Sequence, residues 1–274
     1  MGKKKSKTDY LIYFCLLMGI LLLTYPTISN YVNSFSSTRT ISQYDDFVAR
    51  MDDSQIKQEF QKALDYNQSH KIILGTNLNK QEKESYNSML NVSNNGVMGY
   101  IVIPSVSIRL PIYHTTEESI LQVGVGHVEW SSLPVGGEGT HCVLSGHRGL
   151  PSAKLFTDIV ELKEEDYFEI EVLNEKITYE VDQILTVLPE DLDALKTDEG
   201  KDYCTLVTCT PYGVNSHRLL IRGHRIDNKE TFIIKPDANR INNLIVSGFI
   251  AVPILILLWL MVVLKPERRK SWKK

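Results

Sequence analysis

Two long apolar runs bracket the chain, and a strand-patterned centre lies between them. The first covers about residues 10–25 and follows Lys3-Lys4-Lys5-Ser6-Lys7; the second, residues 244–264, has no charged residue over its 21 positions. That length matches the roughly 20 apolar residues needed to cross a bilayer. Lys265, Arg268, Arg269 and Lys270 follow the second run at once. Basic flanks at both ends predict cytoplasmic termini and an external middle, in a protein of the cell membrane. Thr24-Tyr25-Pro26-Thr27 is a weak processing signal and no clear A-x-A site follows, so the first run reads as an uncleaved signal anchor rather than a removed signal peptide.

Between the runs the periodicity changes once. Over residues 42–66 the apolar positions Phe47, Ile56, Phe60, Ala63 and Leu64 recur at helical spacing, and Asp52-Asp53-Ser54 offers an N-cap before Gln55. A second helix is predicted over about residues 80–90, with Tyr86, Met89 and Leu90 on one side. From Gly96 onward the chain reads as short apolar strands with frequent turn residues: 99–104, 108–113, 142–146, 167–172, 177–181, 205–208 and 219–221. Only short helical pieces, such as 119–121, fall between them. Seven or more strands at this spacing predict a mainly β barrel or sandwich rather than a doubly wound sheet. The expected organisation is a basic tail and anchor over 1–30, a helical prelude over 31–95, a β domain over 96–235, and a second span with a basic tail over 236–274.

Charge sharpens this division. The 274 residues carry a formal charge of -3, but both ends are basic, and without residues 1–30 and 265–274 the middle holds 20 basic against 31 acidic residues. Such a middle argues against nucleic-acid binding. The acidic run Glu190-Asp191, Asp193, Asp198-Glu199 and Asp202 has no calcium-loop pattern and reads as a solvated loop. Of the four cysteines, Cys15 lies in the first apolar run, which leaves Cys142, Cys204 and Cys209. An odd number is a poor disulfide framework. Cys204 and Cys209 with a histidine are a weak zinc candidate, because no C-x-x-C is present.

The candidate chemistry centres on Cys209. Thr205, Val207 and Cys209 share one face of a strand, and Thr210-Pro211-Tyr212-Gly213-Val214-Asn215 supplies a turn, so the sulfur sits at a strand end by a loop mouth. A thiolate there is a nucleophile if cations lower its pKa. The competing reading is a buried structural thiol. His147, in Ser145-Gly146-His147-Arg148-Gly149, ends another strand at a glycine-bounded loop and suits general acid–base work; a locally satisfied turn histidine is the alternative. His127, His141, His217 and His224 stay open as candidates. Arg218, Arg222 and Arg225 are the candidate oxyanion donors, with Arg218 first because it starts the strand after the Cys209 loop.

These segments resemble the signature motifs of sortases, the Gram-positive cell-surface transpeptidases: Thr205-Leu206-Val207-Thr208-Cys209 with an arginine nine positions on, and Ser145-Gly146-His147-Arg148-Gly149 upstream. Gly96-Val97-Met98-Gly99-Tyr100-Ile101 followed by Pro104, Leu110-Pro111-Ile112-Tyr113-His114, Gly124-Val125-Gly126-His127, Leu133-Pro134-Val135-Gly136-Gly137 and the C-terminal span are similar to the pilin-polymerising class C branch. The resemblance covers roughly residues 85–265. It implies a closed β-barrel of about eight strands with short helices, with Cys209 as nucleophile, His147 as acid and base, and Arg218 as oxyanion donor. It implies cleavage of an LPxTG-like sorting signal after its threonine, with membrane-attached pilins as substrates and a pilin lysine amine as acceptor, and no metal or cofactor. Transfer of the acyl group to water, and anchoring of surface proteins to the cell wall, are the alternatives within enzymes; a non-enzymatic surface binding module is the alternative outside them. The chain departs from the class C pattern at the lid. An Asp-Pro-aromatic motif is replaced by Thr76-Asn77-Leu78, which predicts a groove with little to gate it.

Overall fold

The computed structural model describes residues 7–69 and 73–228 together with Ser247, Gly248, Ala251, Pro253, Leu255 and Ile256. The second apolar run and the basic tail after it lie outside the described residues but for those six positions. The first described element is a helix, α1 (Lys7–Val48), of 42 residues. It continues through Pro26 and past residue 30 without interruption, so one helix runs from the apolar run into the prelude. Its first part is long and apolar enough to cross a membrane and is largely unburied, with Leu11, Phe14, Leu22 and Leu23 exposed. Its last part packs on the body through Ile41, Tyr44 and Val48, all buried. Burial pushes the Tyr44 phenol far up, so it stays protonated; it donates to Met98 O at 3.0 Å and accepts from Leu173 N at 2.9 Å.

Helix α2 (Asp53–Ser69) starts at the predicted cap. Asp52 Oδ1 accepts from Gln55 N and Gln55 Oε1 accepts from Asp52 N, which satisfies two amide groups that the helix itself cannot. Helix α3 (Lys80–Ser88) opens on the same reciprocal device between Asn79 and Glu82. Tyr86, at its buried face, bonds His127 Nδ1 at 2.9 Å and accepts from Thr115 N, which ties the prelude to the barrel.

The body is a closed barrel of eight strands: β1 (Val97–Ile103), β2 (Ile108–Tyr113), β3 (Val125–His127), β4 (Thr140–Ser145), β5 (Tyr167–Val172), β6 (Glu175–Val187), β7 (Asp202–Thr210) and β8 (His217–Ile226). Their order around it is β1-β2-β3-β4-β7-β8-β6-β5, and β5 closes on β1. The closed barrel that the resemblance implies, one of the two architectures the strand pattern left open, is therefore observed. Closure removes the exposed sheet edges that seven or eight short strands would otherwise present. A short helix, α4 (Glu118–Leu121), fills the β2–β3 connection.

Two pairings position the chemistry. β4 and β7 run parallel, with Ser145 opposite Val207. β7 and β8 run antiparallel, with Cys209 directly opposite Arg218. Along both pairings the strand period sorts side chains to two faces. Leu144, Leu206 and Ile221 join the main core, whereas Val143, Val207 and Leu220 gather in a second cluster on the other face.

Candidate active site

Cys209 has the same strand parity as Val207, so its thiol belongs to the outer face of β7, and it is half-buried there. Cys142 and Cys204, partners across β4 and β7, face the interior instead and are fully buried. Burial holds the Cys204 thiol well above its ordinary value. Cys204 and Cys209 thus lie on opposite faces of one strand, which separates the pair that the zinc reading needed.

His147 follows β4 by two residues as Cys209 follows Val207 by two, so the parallel ladder carries both to the same end of the barrel. Hydrogen bonds extend the pairing past the strands: Gly146 N donates to Val207 O at 3.0 Å, Thr208 Oγ1 donates to Gly146 O at 2.7 Å, and Arg148 Nη1 donates to Thr210 Oγ1 at 3.2 Å. Two glycines make the loop possible. A Cβ at Gly146 would meet the Phe156 ring at 2.6 Å, and Gly149 has φ +79° with Tyr212 pressed on it.

His147 Nε2 lies 3.1 Å from Glu118 Oε2 and 3.2 Å from Oε1. A carboxylate at Nε2 requires a proton on that nitrogen, which leaves Nδ1 to gain or lose the second one. Hydrogen bonds from Gln122, and then from His147, hold the Glu118 carboxyl below its ordinary value. Glu118 drew no attention in the sequence, where Glu117-Glu118 looks like any acidic helix start; only the fold brings it across 29 residues.

Arg218 lies opposite Cys209 on the same outer face, and its guanidinium is steadied by two loop carbonyls, Asn215 O at 3.2 Å and His217 O at 3.1 Å. The other arginine candidates are engaged elsewhere. Arg222 makes a bidentate pair with Asp182, both contacts at 3.0 Å, and stacks over Tyr203. Arg225 faces Tyr179 far along β8. Of the other candidate histidines, three have hydrogen-bond partners of their own, whereas His224 Nδ1 has none among the described residues. His127 is held between Tyr86 and Ser132 O, and His141 between Lys196 O and Thr205 Oγ1. His217 contacts Ser216 Oγ, and His224 lies 4.0 Å from Asp182.

A groove with a cavity of about 150 Å³ runs beside Arg218, lined by Val128, Trp130, Val143, Val207 and Leu220 among others. A cleft of about 550 Å³ between Phe47, Gln55 and Asn91 is larger, but no cysteine or histidine lines it. At the lid position Thr76 and Asn77 are exposed, and Leu78 packs on the main core rather than toward the groove. Leu74, four residues earlier, packs on the cluster of Val143, Leu195 and Leu220 that walls the groove.

Comparison with known proteins agrees with this geometry. The sortase domain family matches residues 101–226. Sortase A of Bacillus anthracis is 32% identical over 133 residues, 48% of this chain and 61% of that protein, and Sortase A of Streptococcus agalactiae is 32% identical over 117 residues, 42% and 47%. The alignments thus span about half to three fifths of those two relatives. Among solved structures, sortase C1 of Streptococcus agalactiae superposes with a TM-score of 0.68 at 51% identity, covering 70% of this chain and all of that one. Sortase C of Streptococcus pneumoniae, in a structure described as bearing on pilin substrate specificity, gives 0.62 at 38% identity, covering 71% and 100%.

Proposed function

The chain belongs to the sortase family, and on that premise we propose that it is a membrane-anchored cysteine transpeptidase of the pilin-polymerising kind. The observation that carries the proposal is the direct opposition of Cys209 and Arg218 across β7 and β8, beside a loop that brings His147 to the same end. The Cys209 thiolate attacks the threonine carbonyl of an LPxTG-like signal, and the guanidinium of Arg218 stabilises the oxyanion that forms. The threonine–glycine C–N bond then breaks as His147 gives a proton to the leaving amine, which yields a thioester on Cys209. A lysine amine attacks that thioester, His147 takes up the amine proton, and Cys209 departs as thiolate while an isopeptide bond forms.

The apolar groove between Val128, Val143 and Leu220 suits the leucine of such a signal, and Arg218 at its end suits the scissile carbonyl. Sortase C structures at 37–51% identity support pilins as substrates over anchoring of surface proteins to the cell wall. Hydrolysis is the second outcome of the same thioester, when water arrives before an amine. The test is incubation of the protein with a signal-bearing pilin and the same pilin lacking its acceptor lysines. Covalent ladders with the first and only cleaved monomer with the second support polymerisation. Cleaved monomer with both supports a peptidase, and no cleavage with either removes the reading.

A further inference from the structure

The end of the barrel that carries Cys209, His147 and Arg218 is also the end past which the apolar part of α1 leaves the body. Lys154 N donates to Asn30 Oδ1 at 2.9 Å, Asn33 Nδ2 to Gln122 O at 3.0 Å, and Ser37 Oγ to Val123 O at 3.4 Å. Lys154 belongs to the loop that starts at His147, whose own carbonyl accepts from Phe156 N at 3.1 Å. Gln122 and Val123 close the helix α4 that begins with Glu118. Further along α1, Ile41, Tyr44 and Val48 are buried on the barrel wall, and Tyr44 reaches Met98. The helix therefore crosses the wall from β1 toward the catalytic end and continues beyond it. From Asn30 back to Tyr25, where the apolar run ends, the helix rises only about 8 Å at 1.5 Å per residue. A bilayer around that run begins within roughly 10 Å, along the helix, of the loop behind His147.

The β7–β8 loop projects from the same end, with all of residues 211–216 exposed. Tyr212 is 60% and Val214 70% exposed. Tyr212 rests one ring edge on Gly149, and Arg148 lies 5.9 Å from its centre, so the side chain is oriented rather than loose. A tyrosine with an apolar ring and a polar tip is the residue type that settles in a headgroup layer.

We propose that the β7–β8 loop, through Tyr212 and Val214, seats on the outer surface of the same bilayer that holds α1, so that the groove beside Cys209 opens at the lipid headgroups. This rests on α1 being a membrane anchor. Its consequence is selectivity by topology: a signal still attached to a bilayer-embedded segment meets the thiol without leaving the surface.

The test uses the full chain in phosphatidylcholine–phosphatidylglycerol vesicles. A fluorophore is attached at V214C, or for comparison at E138C in the exposed turn before β4 at the opposite end, in a Cys15→Ser, Cys209→Ala background; Cys142 and Cys204 are buried and stay unlabelled. Lipids carrying a spin label near the headgroup should quench the fluorophore at position 214 at least about twofold more than at position 138, because such quenching requires near contact with the bilayer surface. Equal quenching overturns the proposal, including the outcome in which a second copy or another protein covers the loop. The readout does not depend on catalysis, so it stands apart from the transpeptidase reading. A second arm keeps Cys209 and compares native protein with Val214→Asp. Cleavage of a bilayer-anchored signal should fall about tenfold relative to a free peptide, the loss expected when one apolar side chain no longer leaves water. An unchanged ratio overturns it as well.

Discussion

Glu118 holds the Nε2 of His147 with both carboxylate oxygens, at 3.1 and 3.2 Å, although its side chain is 65% exposed. The contact fixes the ring so that Nδ1 is the nitrogen free to exchange a proton, which makes Glu118 a positioning residue for the proposed acid and base. The pair is exposed and screened by solvent, so Glu118→Gln should lower kcat by no more than about fivefold and leave KM unchanged. A rise in KM with kcat intact would assign Glu118 to substrate binding instead. The sign of its own titration follows from the contacts. Bonds from Gln122 and His147 favour the ionised carboxylate and lower its pKa, so in His147→Ala the Glu118 carboxyl should titrate at higher pH than in the native protein. Carboxyl NMR reads this directly, and no change would mean that the contact is not kept in solution.

Cys209 and Arg218 share one rung of the β7–β8 ladder, whereas Arg222 is committed to Asp182. Cys209→Ala should abolish both thioester and product with almost no change in Tm, since a half-buried residue on the outer face contributes little packing. Arg218→Lys keeps the charge and loses the planar fork, at a cost of about 10²–10³ in rate. Arg222→Lys should instead lower stability, by about 1–2 kcal/mol for a partly buried bidentate pair, with the rate nearly unchanged. The reverse pattern would exchange the roles of the two arginines.

Leu74 turns the question of a lid into one about a single apolar side chain. It packs on the groove cluster, and the adjoining Gly75 has φ +71°, with the space over it taken by Leu192. Removing that contact with Leu74→Ser should raise the rate at which a bulky thiol reagent modifies Cys209 by up to about tenfold, the value of one apolar side chain, and raise the rate for a small reagent less. Equal acceleration of both reagents, or of neither, would mean that Leu74 walls the groove without covering it.

What was legible beforehand follows from how local each signal is. β1, β2 and β5 are apolar over most of their length and bounded by turn residues, so pattern alone finds them, and Cys209 and His147 stand at strand ends that the same pattern marks. β3 has only three residues and is bounded by Gly124, so its pairing with β2 and β4 comes from closure of the barrel rather than from its own sequence. The length of α1 was not legible because the apolar run ends near Tyr25 and the helical periodicity reads only from residue 42, with Pro26, a residue that commonly interrupts helices, between them. An existing long helix with an exposed N-terminal part tolerates it, because the body that steadies α1 packs on Ile41, Tyr44 and Val48 well beyond it. Leu74 and Glu118 were missed for a common reason: each acts on residues distant in sequence, and neither belongs to a periodic pattern.

The loop that carries His147 depends on a contact that no charge or hydrogen bond reveals. Gly146 sits against Phe156, and an added Cβ would come within 2.6 to 3.1 Å of three ring carbons. Phe156 is fully buried, and its amide is bonded to His147 O, so the ring cannot withdraw without moving the loop itself. Gly146 is also the residue whose N–H and C=O lock onto Val207 and Thr208, the two residues that precede Cys209 on β7. Gly146→Ala should therefore cost about 1–3 kcal/mol, the usual penalty for overpacking a filled site, and should reduce activity by more than that loss of folded protein explains, because the displacement falls on His147. Phe156→Leu provides the separation. It makes room for the methyl group, so the double variant should regain rate relative to Gly146→Ala even though Phe156→Leu alone destabilises. If the double variant is as slow as Gly146→Ala at a temperature where both are folded, the glycine is needed for the backbone path of the loop and not for clearance from the ring.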